Sequence, residues 1–206
     1  MTRLTIRSMI QFRPNRRTLL ASIGALVLVP RSGFALTTAQ ASALVEQVVT
    51  DINRVVASAK SESSLYSDFE AIFARYADTA VIARSVLGAD WRSINDAQRR
   101  SFTEAFQGYI SRKYGRQFRE FQGSRIEVSG ATSVNRYVEV SARAIRSGRS
   151  NVDITFLISD RGGRSRFFDL RVEGISLART ERDEIGAMLD ARRGNMDQLI
   201  AHLRTA

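Results

Sequence analysis

A chain of 206 residues is long enough for one domain with a sizeable core, and the absence of cysteine excludes disulfides, thiolate nucleophiles and cysteine metal sites. A single histidine, His202, leaves no histidine-rich metal site and no basis for a Ser-His-Asp or Cys-His triad. The formal net charge of +10 first suggests nucleic acid, but its distribution argues otherwise.

Residues 1–35 read as an address segment. Arg13-Pro-Asn-Arg-Arg17 is a basic region, Leu19 to Val29 is an apolar run, and Gly33-Phe34-Ala35 places small residues where a signal peptidase cuts, so cleavage after Ala35 is expected. The run falls short of the about 20 residues that span a bilayer. Arg16-Arg17 followed by Leu19 and Leu20 also resembles a twin-arginine signal, so both that route and the general secretory one stand. The segment holds six arginines and no acid, and removing them from the formal +10 leaves +4 on residues 36–206. A mildly basic exported domain suits brief contact with anionic membrane surfaces; Arg112, Lys113, Arg116 and Arg119 do cluster, but acids lie among them, and no nucleic-acid partner is expected.

From Thr37 or Thr38 to about Lys60, Leu44, Val48, Ile52, Val55 and Val56 recur every three or four residues, which predicts a helix with one apolar stripe. After the polar break at residues 60–64, Phe69, Ile72, Phe73 and Tyr76 predict a second helix. Asp78 caps a third, Thr79 to Leu87, stopped by Gly88. The longest helix starts behind Asn95 or Ser93 and runs from Asp96 to about Phe121. Phe102, Phe106, Tyr109, Ile110, Tyr114, Phe118 and Phe121 make it an aromatic wall.

Past Gly123 the period changes from 3.6 to two. Ile126 and Val128 belong to one strand, and Tyr137 to Ile145 is the next, with Val138, Val140, Ala142 and Ala144 on one face. Residues 146–150 form a turn, after which Val152, Ile154, Phe156 and Ile158 alternate with polar residues. Asp160-Arg-Gly-Gly163 leads to a last strand in which Phe168, Leu170 and Val172 share one face and Asp169 and Arg171 the other. Four short-looped strands predict an antiparallel meander, and helices follow over Thr180–Arg193 and Met196–Leu203. No internal repeat or linker follows Ala35, so residues 36–206 read as one α+β domain.

Chemistry-bearing residues are few. His202 sits near the polar end of the last helix and reads as a surface residue. Glu181, Asp183 and Glu184 sit near a helix N-terminus, where the macrodipole favours acids without any catalytic role. Asp153 and Asp169 lie inside strands; a carboxylate pointing into an apolar cavity would have a raised pKa and could act as a general base of the ketosteroid-isomerase kind. Their parity opposes the apolar face. No enzyme and no cofactor is expected, with such an isomerase-like enzyme or a non-lipid solute-binding or interaction protein as the alternatives.

Several stretches resemble the MlaC, or toluene-tolerance, family of periplasmic phospholipid-binding proteins. They are Ile82-Ala-Arg-Ser-Val-Leu-Gly88 with Trp91; Gln98-Arg-Arg-Ser-Phe102 with Phe106 and Tyr114; Phe168-Asp-Leu-Arg-Val-Glu-Gly-Ile-Ser-Leu177 with Arg182; and Asn195 to Leu203. The chain departs from the pattern at Phe167, where many members have a tryptophan-containing approach to the aspartate. The resemblance implies helices wrapped around a curved four-stranded antiparallel sheet, of the nuclear-transport-factor-two shape, enclosing a cavity for acyl chains. It also implies a periplasmic shuttle that carries phospholipid as cargo between an outer-membrane lipoprotein complex and an inner-membrane ABC transporter, maintaining outer-membrane lipid asymmetry. On that reading the tails contact Val81, Ile82, Phe102, Phe106, Tyr109 and Ile110 from the helices, and Val138, Val140, Ile154, Phe156, Phe168 and Leu170 from the sheet.

Overall fold

The computed structural model describes residues 36–58, 61–117 and 124–206. The expected export segment and the expected last turn of the longest helix, with Phe118 and Phe121, lie outside the described residues. The described residues belong to one compact unit. Helix α1 (Thr38–Ala57) starts at a reciprocal cap, in which Gln40 N–H donates to the Thr37 hydroxyl and Thr37 N–H donates to the Gln40 side chain. Helices α2 (Glu62–Tyr76) and α3 (Thr79–Leu87) follow; Asp78 caps α3, and Gly88, at φ +59°, ends it in a conformation that a side chain would strain. A single 3-10 turn, Asp90–Arg92, carries Trp91 under the Arg99 guanidinium at 5.8 Å. The longest helix, α4, spans Asp96–Gln117 among the described residues.

The sheet is an antiparallel meander in the order β1 (Arg125–Val134), β2 (Tyr137–Ile145), β3 (Val152–Ser159), β4 (Arg166–Val172) and β5 (Ile175–Ser176). It has five strands where the apolar pattern predicts four. The extra one is two residues long and follows a tight turn in which Glu173 and Gly174 both have positive φ, +51° and +79°. The first strand also runs further than Ile126 and Val128 imply. It continues past a bulge at Ser129 through residues with no apolar alternation, to a turn at Asn135 with φ +52°.

On the inner face Val138, Val140, Ala142 and Ala144 of β2 stand opposite Ile158, Phe156, Ile154 and Val152 of β3. The next ladder changes step. Leu157 pairs with Asp169, but Ile158 pairs with Phe167, so Phe168 is an extra residue in β4. A bulge turns the following side chains relative to the strand's regular alternation. Phe167 is therefore the buried aromatic, and Phe168 packs edge-on against Tyr137 at 5.6 Å.

Helix α1 covers β1 and β2, and α4 lies against α2. At the exposed side of β1, the Asn53 amide donates to Ile126 O and accepts from Ile126 N–H, standing in for a further strand. Helix α5 (Leu177–Asp190) begins at Leu177 and not at Thr180, because Ser176 caps it by accepting from Arg179 N–H. It packs on β4 and α3. The last helix, α6 (Met196–Thr205), is capped by Asn195 and packs on α4, whose Arg112 donates to Leu203 O and Ala206 O at its C-terminal end.

Candidate functional site: an apolar cavity

The space between α1, α2, α4, the start of α5 and the sheet is hollow. A cavity of about 280 Å³ is walled by Val48 and Ile52 of α1, Phe69, Ile72 and Phe73 of α2, and Phe106, Ile110, Tyr114 and Gly115 of α4. Ile126, Val152, Ile154, Phe156, Phe167, Leu170 and Val172 close it from the sheet, with Ile82 of α3 and Leu177, Ala178 and Glu181 of α5. Its volume is roughly twice that of the ~150 Å³ engineered cavity that takes up benzene, so it has room for on the order of a dozen carbons. Three aromatic rings meet at one wall: Phe167 packs edge-on against both Phe73 and Phe156, at 5.9 and 6.0 Å. Gly115 lets α2 come close, since a Cβ there would stand 2.7 Å from the Tyr66 ring.

Of the residues expected to line such a cavity, Ile82, Phe106, Ile110, Ile154, Phe156 and Leu170 do so. The other six lie elsewhere. Phe102, Val138 and Val140 are fully buried but are not among the cavity's lining residues, Phe102 stacked on Phe106 at 5.8 Å. Tyr109 is buried with its hydroxyl donating to Glu184 at 2.7 Å. Phe168 is placed outside by the bulge, and Val81, 45 % exposed, is on the outer side of α3. Val81 and Phe168 instead line a second, more polar pocket of about 500 Å³ with Ser85, Ser176, Arg179, Arg182 and Asp183. The apolar rhythm marks which residues are buried, but not which of them face a void. Among the lining residues the expectation left out are the aromatic residues Phe167, Phe69, Phe73 and Tyr114 and the aliphatic Val48, Ile52 and Ile72; all but Phe167 carried the helical spacing that would have found them.

The carboxylates in the strands have structural work. Asp153 pairs with Arg143 on the exposed face at 2.6 Å. Asp169 borders both pockets, yet its carboxylate is taken up by the Ser176 hydroxyl at 2.6 Å and the backbone N–H groups of Leu170 and Ala178. It fastens the end of β4 to the start of α5.

The second acid at the cavity is Glu181, which the sequence placed on a dipole-favoured helix end. Its Oε1 accepts from Lys113 Nζ at 2.7 Å and from the Tyr114 hydroxyl at 2.6 Å. Lys113 also pairs with Glu184 and lies 5.6 Å from the ring centres of both Tyr109 and Tyr114. Burial alone would lower the Lys113 pKa, but its bonds to the two glutamates outweigh this and raise it. Burial, then the bond to Glu184, pushes Tyr109 up to about 12; burial and the bond to Glu181 raise Tyr114 as well. Burial would raise Glu184, yet the bonds from Lys113 and Tyr109 hold it below its ordinary value. The cluster is legible in outline, since Tyr109 and Lys113 are four apart on one helix and Glu181 and Glu184 three apart on another. That the two helices face each other is not.

Two of the motif blocks meet in space: the Arg182 guanidinium lies over Gly88, where a Cβ would come within 2.5 Å of it. The MlaC protein family model matches residues 42–205. Among solved structures, a phospholipid-binding protein from Ralstonia solanacearum, determined in complex with a phospholipid, superposes with a TM-score of 0.64 at 14% identity, over 81% of this chain and 97% of that one. At that identity the likeness speaks for the fold.

Proposed function

This chain belongs to the MlaC family, and on that premise we propose that it is a phospholipid carrier whose cavity shields acyl chain from water. The observation that carries the reading is the cavity itself, walled almost wholly by aliphatic and aromatic side chains. Each methylene kept from water is worth about 0.8 kcal/mol, so a lipid crosses an aqueous gap only if something encloses its tails. The phospholipid bound by the similarly folded Ralstonia protein supports the same cargo here. A dozen carbons' worth of space takes part of one chain; the rest of the lipid enters as the walls part or stays at the mouth.

The wider role follows from the family. The protein is exported through residues 1–35 and works in the periplasm. There it takes lipid from one partner, an outer-membrane lipoprotein complex or an inner-membrane ABC transporter, and yields it to the other, so maintaining outer-membrane lipid asymmetry. The mature charge of +4 favours brief contact with anionic surfaces. Binding and not catalysis is the better reading of the site, because the hydroxyls at the cavity wall are committed: Ser111 donates to Gln107 O and Tyr114 to Glu181. An isomerase-like reaction needs free donors facing its developing oxyanion.

Native protein is to be extracted and its lipid identified by mass spectrometry, and delipidated protein offered phospholipid vesicles. Stoichiometric phospholipid in the first and uptake in the second are expected. A preparation that carries none and takes none ends the proposal.

A further inference from the structure

Glu181, one of the residues lining the cavity, has a buried polar atom for which the fold supplies no use. Glu181 is only 2 % exposed, and while its Oε1 receives Lys113 and Tyr114, its Oε2 has no hydrogen-bond partner among the described residues. Most of the other lining residues are apolar, Ile110, Leu177 and Val172 among them. Burying an ionised oxygen without a donor is costly, and native folds rarely leave one so. The cost is removed if the guest supplies the donor.

We propose that Glu181 is a specificity-determining residue of the cavity, and that Oε2 accepts a hydrogen bond from a hydroxyl carried by the lipid on or next to its apolar chain. The inference rests on the carrier reading above and narrows its cargo. A hydroxyl fits better than an ammonium group: an ammonium has three donors to satisfy, whereas Glu181 Oε2 is the one buried side-chain oxygen left unpartnered among the described residues. Lys113 already sits against Glu181 at 2.7 Å, shared with the more exposed Glu184 that water also reaches, so a neutral hydroxyl donor is enough to complete Oε2. Oε1 is fixed by two donors, which orients the carboxylate and leaves Oε2 preorganised for the guest. Two sources carry such a hydroxyl: a hydroxylated acyl chain, or the free glycerol hydroxyl of a monoacyl phospholipid.

The test is competitive binding to the delipidated full chain, with two matched pairs of probes. The first pair is stearate and 12-hydroxystearate; the second is a lysophospholipid and its analogue lacking the free glycerol hydroxyl. The hydroxylated member of one pair is expected to bind about tenfold more tightly or better, the span of a hydrogen bond to a charged acceptor. The pair that responds identifies the source. In Glu181→Met the preference should vanish or invert, with the plain chain binding as well or better. Should that variant not fold, Glu181→Gln keeps an acceptor for Lys113 and Tyr114 while making the free atom an amide nitrogen, and the preference should shrink to about threefold or less. Equal binding within both pairs overturns this inference and leaves the carrier reading standing. A preference that survives unchanged in the Glu181 variants also overturns it, as does recovery of the probe chemically altered. Binding of no probe at all overturns this inference, and the carrier reading falls with it only if phospholipid vesicles are refused as well.

Discussion

Phe102 and Phe156 are both phenylalanines, both almost completely buried, and both on apolar faces that the sequence marks plainly; one lies away from the cavity and the other borders it. Phe102 stacks on Phe106 within the long helix. Phe156 pairs across the sheet with Val140 and Leu170 and meets Phe167 edge-on, with the cavity beside it. Burial is thus shared by the filled and hollow parts of one interior, and only the hollow part is equipped to take a guest.

The sharpest way to break this comparison is to delete each ring. Phe102→Ala should cost about 3–5 kcal/mol in urea unfolding, and Phe156→Ala less by at least about 1 kcal/mol, since its ring already lacks partners on one side. Equal losses would mean the void is closed in solution. The β4 bulge gives a second contrast: Phe167→Ala is expected to lose about 3 kcal/mol and Phe168→Ala about 1–2, by the same measurement. A reversed order would restore the regular alternation of the strand and remove the bulge.

Filling the hollow separates stability from loading. Ile110→Trp should lower lipid uptake from vesicles about tenfold or more while changing the unfolding free energy by no more than about 2 kcal/mol, because the added ring occupies empty space. Unchanged uptake in a folded variant would move the guest elsewhere.

The smallest expected effect is on pH. Tyr109 keeps its proton in the folded state to about 12, against an ordinary 10.0, and Tyr114 is raised as well. Between those values the unfolded chain has released protons that the folded one retains, so stability is full below pH 10 and falls as pH rises towards 12. On the acid side Glu184 and Asp51 are held below their ordinary values, Asp51 chiefly by the Tyr76 hydroxyl. Their contribution is present above about pH 4 and lost as pH falls through the folded values. Tyr109→Phe should flatten the alkaline slope in thermal melts taken across pH; an unaltered slope would place the titration elsewhere.

Much of the architecture was legible along the chain. The caps at Asp78 and Asn95, the stop at Gly88, and strands β2, β3 and β4 follow from local chemistry, because capping, glycine conformation and period-two alternation act over a few residues. Strand β5 and the second half of β1 were not legible, as neither has an apolar alternation to mark it. The candidate site was half legible. Ile82, Phe106, Ile110, Ile154, Phe156 and Leu170 carry the rhythm and face the cavity, while Phe102, Val138 and Val140 carry the same rhythm and do not.

The order of apolar residues therefore determined that helices would cover an antiparallel sheet, and which side chains would be dry, because periodicity chooses a face. It had no means of stating the distance between two such faces. That distance, the exchange of Phe168 for Phe167, and the meeting of Glu181 with Lys113 and Tyr114 were decided by tertiary structure, where ladder register and helix placement bring together residues that are far apart in the chain. A void is a property of what stands opposite, and no single stretch of sequence contains its own opposite.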